Sequence, residues 1–249
     1  MADPVLQLSG VTRSFGALVA SDKVDLDLVS GEIHALIGPN GAGKTTLIKQ
    51  VVGEILPDAG TIRFHGEDIT QAPPARRALA GLARTFQISA LAPEFSALEN
   101  VMVAVAPRAG GVFHFFRSAQ RDSALVQPAM AALRRAGLEN RAHVPVTGLS
   151  HGERRQLEIA IALAMQPKVF LMDEPMAGMG PDGSQRLTRL LSELKAEAPI
   201  LLVEHDMDAV FALADRISVM VYGRIVATGT ADEIRTNALV REAYLGDAA

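Results

Sequence analysis

The sequence contains no cysteine and no tryptophan, and its 249 residues include only two tyrosines. Without cysteine, neither a disulfide framework nor a thiolate metal site can form. No run of about 18 apolar residues occurs, so nothing reads as a membrane-spanning helix. The opening residues, Met1-Ala2-Asp3-Pro4, lack the basic flank and apolar core of a secretory signal. Basic residues are scattered, and 24 Lys and Arg against 28 Asp and Glu leave a formal net charge of −4. Affinity for a nucleic-acid backbone needs a concentrated basic face, so no nucleic-acid partner is expected. The six histidines show no His-Glu-x-x-His spacing, which removes support for a zinc enzyme. Asn-Lys-x-Asp, His-Arg-Asp and Asp-Phe-Gly are also missing, which argues against a GTPase switch or a protein kinase.

What is present is ordinary globular usage, 49% hydrophobic and 21% charged, in a chain long enough to bury a substantial core. Val24, Leu26 and Leu28, then Ile62 and Phe64, alternate with period two and predict antiparallel strands near the N-terminus. Ile33 to Ile37 reads as a strand covered on both faces, followed by a Gly-rich turn and a helix over Lys44 to Val52. From Ile88 to Ala164 strand patterns disappear, and helical spacing runs over Ser96 to Val105 and Ser118 to Ala136. Between these lies Pro107 to Arg117, whose Phe113, Phe115 and Phe116 suit either a partner-facing patch or the inside of a lobe. Val169 to Met172 and Ile200 to Val203 are buried-strand runs around a helical pattern over Arg186 to Glu197, the rhythm of a parallel sheet. Ile217 to Val221 and Arg224 to Ala227 flank Tyr222-Gly223 as a hairpin would, before a last helix.

Gly38-Pro39-Asn40-Gly41-Ala42-Gly43-Lys44-Thr45 satisfies G-x-x-x-x-G-K-[ST] at a strand-to-helix junction. Such glycines let backbone N–H groups converge on phosphate oxygens while the following helix presents its positive end. Lys44 can then reach the β- and γ-phosphates, and Thr45 can offer a hydroxyl to Mg²⁺. Farther on, a strand runs into Asp173-Glu174-Pro175. There Asp173 is the candidate Mg²⁺ residue and Glu174 the candidate base for a water, unless the pair is a solvated turn.

Leu149-Ser150-His151-Gly152-Glu153 resembles the signature of ABC ATPases, commonly L-S-G-G-Q and in some subfamilies L-S-Y-G-E. The same residues fit a capping box, with Ser150 and Glu153 at S-x-x-E spacing, and both readings can hold together. The resemblance covers nearly the whole chain. It implies a P-loop NTPase of α/β class, RecA-like, with a mixed-sheet core, an N-terminal antiparallel β subdomain and a helical lobe carrying the signature. Residues 1–87 and 165–249 would form the catalytic lobe and 88–164 the helical one, within a single ABC ATPase domain. It further implies that Phe15 stacks on adenine and that Gly38, Asn40, Gly41, Gly43, Lys44, Thr45 and Thr46 surround the phosphates of ATP. Ser150 and the backbone of Gly152 would touch the γ-phosphate held by a second subunit. Gln87, in Ala83-Arg84-Thr85-Phe86-Gln87, would join Thr45 and Asp173 at Mg²⁺ and lead to a membrane partner. His205, in Val203-Glu204-His205-Asp206-Met207, would bridge γ-phosphate and water, beside Glu174 and Lys44 in catalysis.

Those stretches and the ending Glu242-Ala243-Tyr244-Leu245-Gly246 resemble the ATP-binding subunits of branched-chain amino acid, urea and related importers. The resemblance thus implies a homodimer, or a heterodimer with a second ABC ATPase, under integral membrane permeases. A solute-binding protein would act indirectly, and the chain would lie in the cytoplasm on the inner face of the membrane. Two positions depart from the pattern. His151 stands where Gly or Tyr is usual, and Gly180 where Asp or Asn normally links the two sites. An ABC ATPase outside transport, in DNA repair or on the ribosome, usually carries a coiled-coil insertion or two cassettes, and neither is seen. Gly178-Met179-Gly180-Pro181-Asp182-Gly183 also fits G-x-G-x-x-G with Glu204 downstream, the pattern of a dinucleotide-binding oxidoreductase. Against that, Asp173-Glu174-Pro175 intervenes between strand and glycines, and Gly38 to Thr45 would go unexplained.

Overall fold

The computed structural model describes residues 3–84, 91–108 and 122–242. The chain forms two compact units: Met1–Leu82 with Lys168–Glu174 and Leu191–Ala249, and Ala83–Pro167 with Pro175–Leu190. In the first unit, β1 (Leu6–Phe15) and β2 (Leu18–Leu28) pair antiparallel, in keeping with the antiparallel strands expected near the N-terminus. Joined by β4 (Ala59–Phe64) and β5 (Glu67–Asp68), they make an antiparallel sheet of order β2-β1-β4-β5. Alternation puts Leu6, Leu8, Val24 and Leu26 inside.

The second sheet has the order β10-β9-β3-β8-β7-β6, built from β3 (Ile33–Ile37), β6 (Leu82–Arg84), β7 (Val169–Asp173), β8 (Ile200–Val203), β9 (Arg216–Val221) and β10 (Arg224–Gly229). β3 pairs parallel to both β8 and β9, β7 parallel to β8, and β10 antiparallel to β9. Every residue of β3, β7 and β8 is buried, as their mostly apolar runs lead one to expect, His34 and Asp173 included. Helix α1 (Lys44–Val52) joins the two sheets in one core, where Leu47, Ile48 and Val51 share a cluster with Leu8, Leu26, Leu171 and Leu201. On a second face, Ile37, Ile217 and Val219 pack with α7 (Met207–Leu213) through Val210 and with α8 (Ala231–Thr236) through Ile234.

Two short elements, α2 (Pro74–Ala80) and β6, are absent from the sequence-based expectation, because so few residues carry no readable period. Yet α2 supplies Arg77, which is buried and ties off the end of α1. It donates Nη1 to the carbonyls of Gln50 and Val51, each at 2.7 Å, Nη2 to Thr70 at 2.8 Å and Nε to Ala72 at 2.9 Å.

In the second unit α3 (Ala97–Val105), α4 (Ser123–Arg135) and α5 (His151–Ala164) pack on one another. Ser96 and Ser150 close α3 and α5 with capping boxes, and Asp122 caps α4. Helix α6 (Pro181–Leu194) begins five residues before its predicted start. Its apolar repeat shows only from Leu187, whereas proline at a first helical position needs no donor and favours the start. Gly183 of the G-x-G-x-x-G run therefore lies inside α6, and the run begins past Glu174-Pro175-Met176-Ala177 rather than at the end of β7. Among the described residues no helix is long and apolar enough to cross a membrane.

Candidate active site

The loop Gly38–Gly43 leaves the buried strand β3 and enters α1. Its shape is imposed by neighbouring backbone. Gly38 has φ 151°, and a Cβ there would stand 2.0 Å from the Met220 carbonyl oxygen of β9; Gly43 has φ 108°, and a Cβ would stand 1.9 Å from that of Ala20 in β2. Only glycine permits both the conformation and the approach. Gly223 adds a third hold, donating its N–H to the Ala42 carbonyl at 2.9 Å. Neither a side-chain cap nor an acidic residue occupies the first turn of α1, in contrast to α3, α4 and α5, whose N-termini are closed by their own side chains. That leaves the positive end of α1 suited to an external anion.

Lys44 folds over this loop, donating Nζ to the carbonyls of Gly38 at 2.7 Å and Pro39 at 3.0 Å. Partial burial pulls its pKa below the ordinary lysine value, and the charges of Glu174 and Asp173 oppose that pull. These two carboxylates close β7, with Asp173 buried. Glu174 has left-handed backbone, φ 49°, and its N–H donates to the Val203 carbonyl at 2.8 Å. A non-glycine residue keeps such a conformation only where its surroundings enforce it. His205 lies close by, its Nδ1 3.7 Å from Glu174 Oε1 and 3.7 Å from Glu204 Oε2. The Glu204 side chain is 1% exposed and accepts the N–H of His205 at 3.0 Å, which orients the backbone just ahead of α7. Phosphate loop, two carboxylates and histidine thus meet at the C-terminal ends of β3, β7 and β8, where parallel sheets place their ligands.

Phe15 ends β1 at the β1–β2 turn, 44% exposed, with the Arg13 guanidinium 4.9 Å from its ring centre. Ala20, the residue that meets Gly43, lies just beyond that turn on β2. In the other unit, Ser150 is the N-cap of α5: its Oγ accepts the Glu153 N–H at 3.3 Å and Glu153 Oε2 accepts the Ser150 N–H at 2.8 Å. Those bonds hold the Glu153 carboxyl below its usual pKa. The capping reading is therefore realised, and the Ser150 hydroxyl also hydrogen-bonds to the Glu153 carboxyl. Thr45 and Thr46 lie in the first turn of α1, Asn40 and Gly41 at the loop crest, and Gly152 in the first turn of α5. Gln87 lies outside the described residues, as do Phe113, Phe115 and Phe116 and residues 243–249. Sequence reasoning missed the carbonyls of Ala20 and Met220 and the N–H of Gly223. Backbone groups leave no trace in residue identity, apart from the glycines that make room for them.

Residues 21–177 match the family described as ABC transporter. Residues 224–249 match the family described as branched-chain amino acid ATP-binding cassette transporter. The chain is 38% identical over 257 residues to the high-affinity branched-chain amino acid transport ATP-binding protein LivG of Escherichia coli (strain K12), and the match covers 100% of both chains. It is 37% identical over 257 residues to BraF of Pseudomonas aeruginosa, a protein of the same description, again over 100% of both. Among solved structures, a nucleotide-free ATP-binding cassette from an ABC transporter superposes with a TM-score of 0.86 at 30% identity, covering 98% of this chain and 100% of that one. An ATP-binding cassette of an ABC transporter in its ADP conformation gives 0.85 at 29% identity, covering 99% and 100%.

Proposed function

Because the chain belongs to the ABC transporter family and is one of its ATP-binding, ATP-hydrolysing subunits, we propose that it powers uptake of branched-chain or related amino acids, or urea, by closing as a dimer around Mg-ATP beneath separate membrane subunits. The convergence of Lys44, Asp173, Glu174 and His205 around one phosphate-shaped loop carries the mechanism. The substrate class rests on likeness to LivG and BraF and on residues 224–249. In this reading Phe15 stacks on adenine, and backbone N–H groups of Asn40 to Thr46 grip the phosphates. Lys44 exchanges its loop carbonyls for β- and γ-phosphate oxygens.

The hydroxyl of Thr45 and the carboxylate of Asp173 are the hard oxygen donors Mg²⁺ favours, so these residues, with Gln87, would hold it. When bound it neutralises charge between the β- and γ-phosphates. Glu174 takes a proton from the attacking water as oxygen bonds to the γ-phosphorus, and the bond to the β–γ bridging oxygen breaks. His205, positioned through Glu204, holds that water against the γ-phosphate. Ser150 and Gly152 of a second copy or close relative complete each site from across the dimer. The subunit would work in the cytoplasm at the inner membrane face, with permeases engaged near Gln87 and a solute-binding protein acting through them.

Replacing Lys44 with Ala removes the charge that binds phosphate and should lower turnover by roughly 100-fold or more, with lost nucleotide affinity. Glu174→Gln should retain ATP binding, lower turnover about 100- to 1000-fold and trap an ATP-dependent dimer visible by light scattering. A Glu174→Gln protein that stays monomeric at saturating ATP, or hydrolyses at the normal rate, would contradict this mechanism. Uptake assays with leucine, other amino acids and urea in a strain lacking the gene decide the transported class.

A further inference from the structure

Helix α5 grips the loop after β7 at two points one helical turn apart. His151, its first residue, lays its ring against Gly178, where a Cβ would stand 2.5 Å from Nδ1 and 2.7 Å from Cε1. Four residues on, along the same helix face, Arg155 donates Nε to the Pro175 carbonyl at 3.3 Å. Arg155 is buried and pairs with buried Glu158 at 2.5 Å, which leaves its guanidinium little freedom. Met179 N–H returns to the Met176 carbonyl at 3.1 Å, so the gripped segment is itself a closed turn. α5 and this loop belong to one compact unit, whereas Glu174, one bond earlier, belongs to the other.

We propose that His151 is a positioning residue for hydrolysis: together with Arg155 it makes Pro175–Gly178 a rigid extension of α5, and this sets the backbone on the C-terminal side of Glu174. The strained φ of Glu174 is then held from both sides, by the Val203 carbonyl on its own N–H and by the gripped loop through Pro175. His151, which departs from the usual signature, is thus the partner of Gly178 in the loop that also departs from it. This rests on the reading of Glu174 as the general base.

The test is steady-state ATPase kinetics of the full chain. Removing the ring in His151→Ala should lower kcat on the order of tenfold through misplacement of Glu174, with KM for ATP within about twofold. ATP-dependent dimerisation of His151→Ala in a Glu174→Gln background should be unchanged. His151→Phe, which keeps a ring over Gly178, should hold kcat within about twofold of wild type. Gly178→Ala displaces the ring and should lose kcat similarly. Adding His151→Ala to it removes the clash but leaves the backbone strain of φ 72°, so the double variant should fall little below Gly178→Ala alone.

If His151→Ala matches wild type, if the two losses multiply, or if the loss appears in KM and dimerisation, the proposal fails. The last outcome would place His151 directly against a nucleotide. Should Gly178→Ala fail to fold, the contrast between His151→Ala and His151→Phe decides alone. A wild-type protein without ATPase activity defeats the functional reading itself, whereas an active wild type with an indifferent His151 removes this inference only.

Discussion

At position 34 a histidine sits in the middle of β3, 1% exposed, with Nδ1 2.8 Å from the Asp27 carbonyl and Nε2 2.8 Å from the Ser218 hydroxyl. A carbonyl only accepts, so Nδ1 carries the proton, Nε2 accepts from Ser218, and Ser218 accepts from Thr228 at 2.7 Å. Burial, aided by the charge of Arg216, lowers the pKa of His34 from 6.5 to about 4. Below pH 6.5 the unfolded chain therefore binds a proton that the folded chain refuses. Stability from this group is complete above about 6.5, falls as pH drops toward 4 by about 3 kcal/mol in all, and changes no further below. Urea unfolding across that range should show a slope that His34→Gln reduces; equal slopes would disprove the assignment. Gly43 makes a second case. Its substitution by Ala drives a methyl into the Ala20 carbonyl and should cost about 2–3 kcal/mol with no nucleotide in solution. At Gly41, where no atom lies within 4 Å of a Cβ, only the φ of 80° resists, and the loss should be near 1 kcal/mol. Melting temperatures of the two variants measure the difference, and equal losses would mean that strand contact does not shape the loop.

Helices α1 and α2 depend on each other through one side chain. Arg77 donates to two carbonyls at the end of α1, those of Gln50 and Val51, and Gln50 also accepts the Gly53 N–H at 3.1 Å. Arg77→Met keeps much of the volume but removes these charged donors, and should destabilise by about 3 kcal/mol. Hydrogen exchange should quicken first in the last turn of α1; unchanged exchange there would show that the cap contributes nothing. How far such elements can be read in advance follows from their length and surroundings. β3, β7, β8 and α1 were legible because each is a long apolar run or a full amphipathic period bounded by glycine or charge. α2 was not, since seven residues with two arginines resemble a solvated turn until Arg77 is seen buried. The start of α6 was hidden by Pro181, Asp182 and Gly183, which look like a loop although the first two suit a helix N-terminus.

At the scale of the whole molecule, candidate residues were legible wherever chemistry needs a particular side chain: Lys44, Thr45, Asp173, Glu174, His205 and Ser150. They were not legible where backbone does the work, at Ala20, Met220 and Gly223, or where a contact joins distant residues, as His151 does with Gly178. Spacing along the chain reports local geometry, and these contacts are set by sheet order. That order has a consequence during synthesis. β3 lies between β8 and β9, and His34 meets Ser218 from 184 residues away. The carbonyl and N–H that clasp the phosphate loop, from Met220 and Gly223, leave the ribosome long after the loop itself. A nascent chain that already displays Gly38 to Thr45 thus has no formed cradle, and must wait, exposed to chaperones and proteases, until β9 and the turn after it arrive.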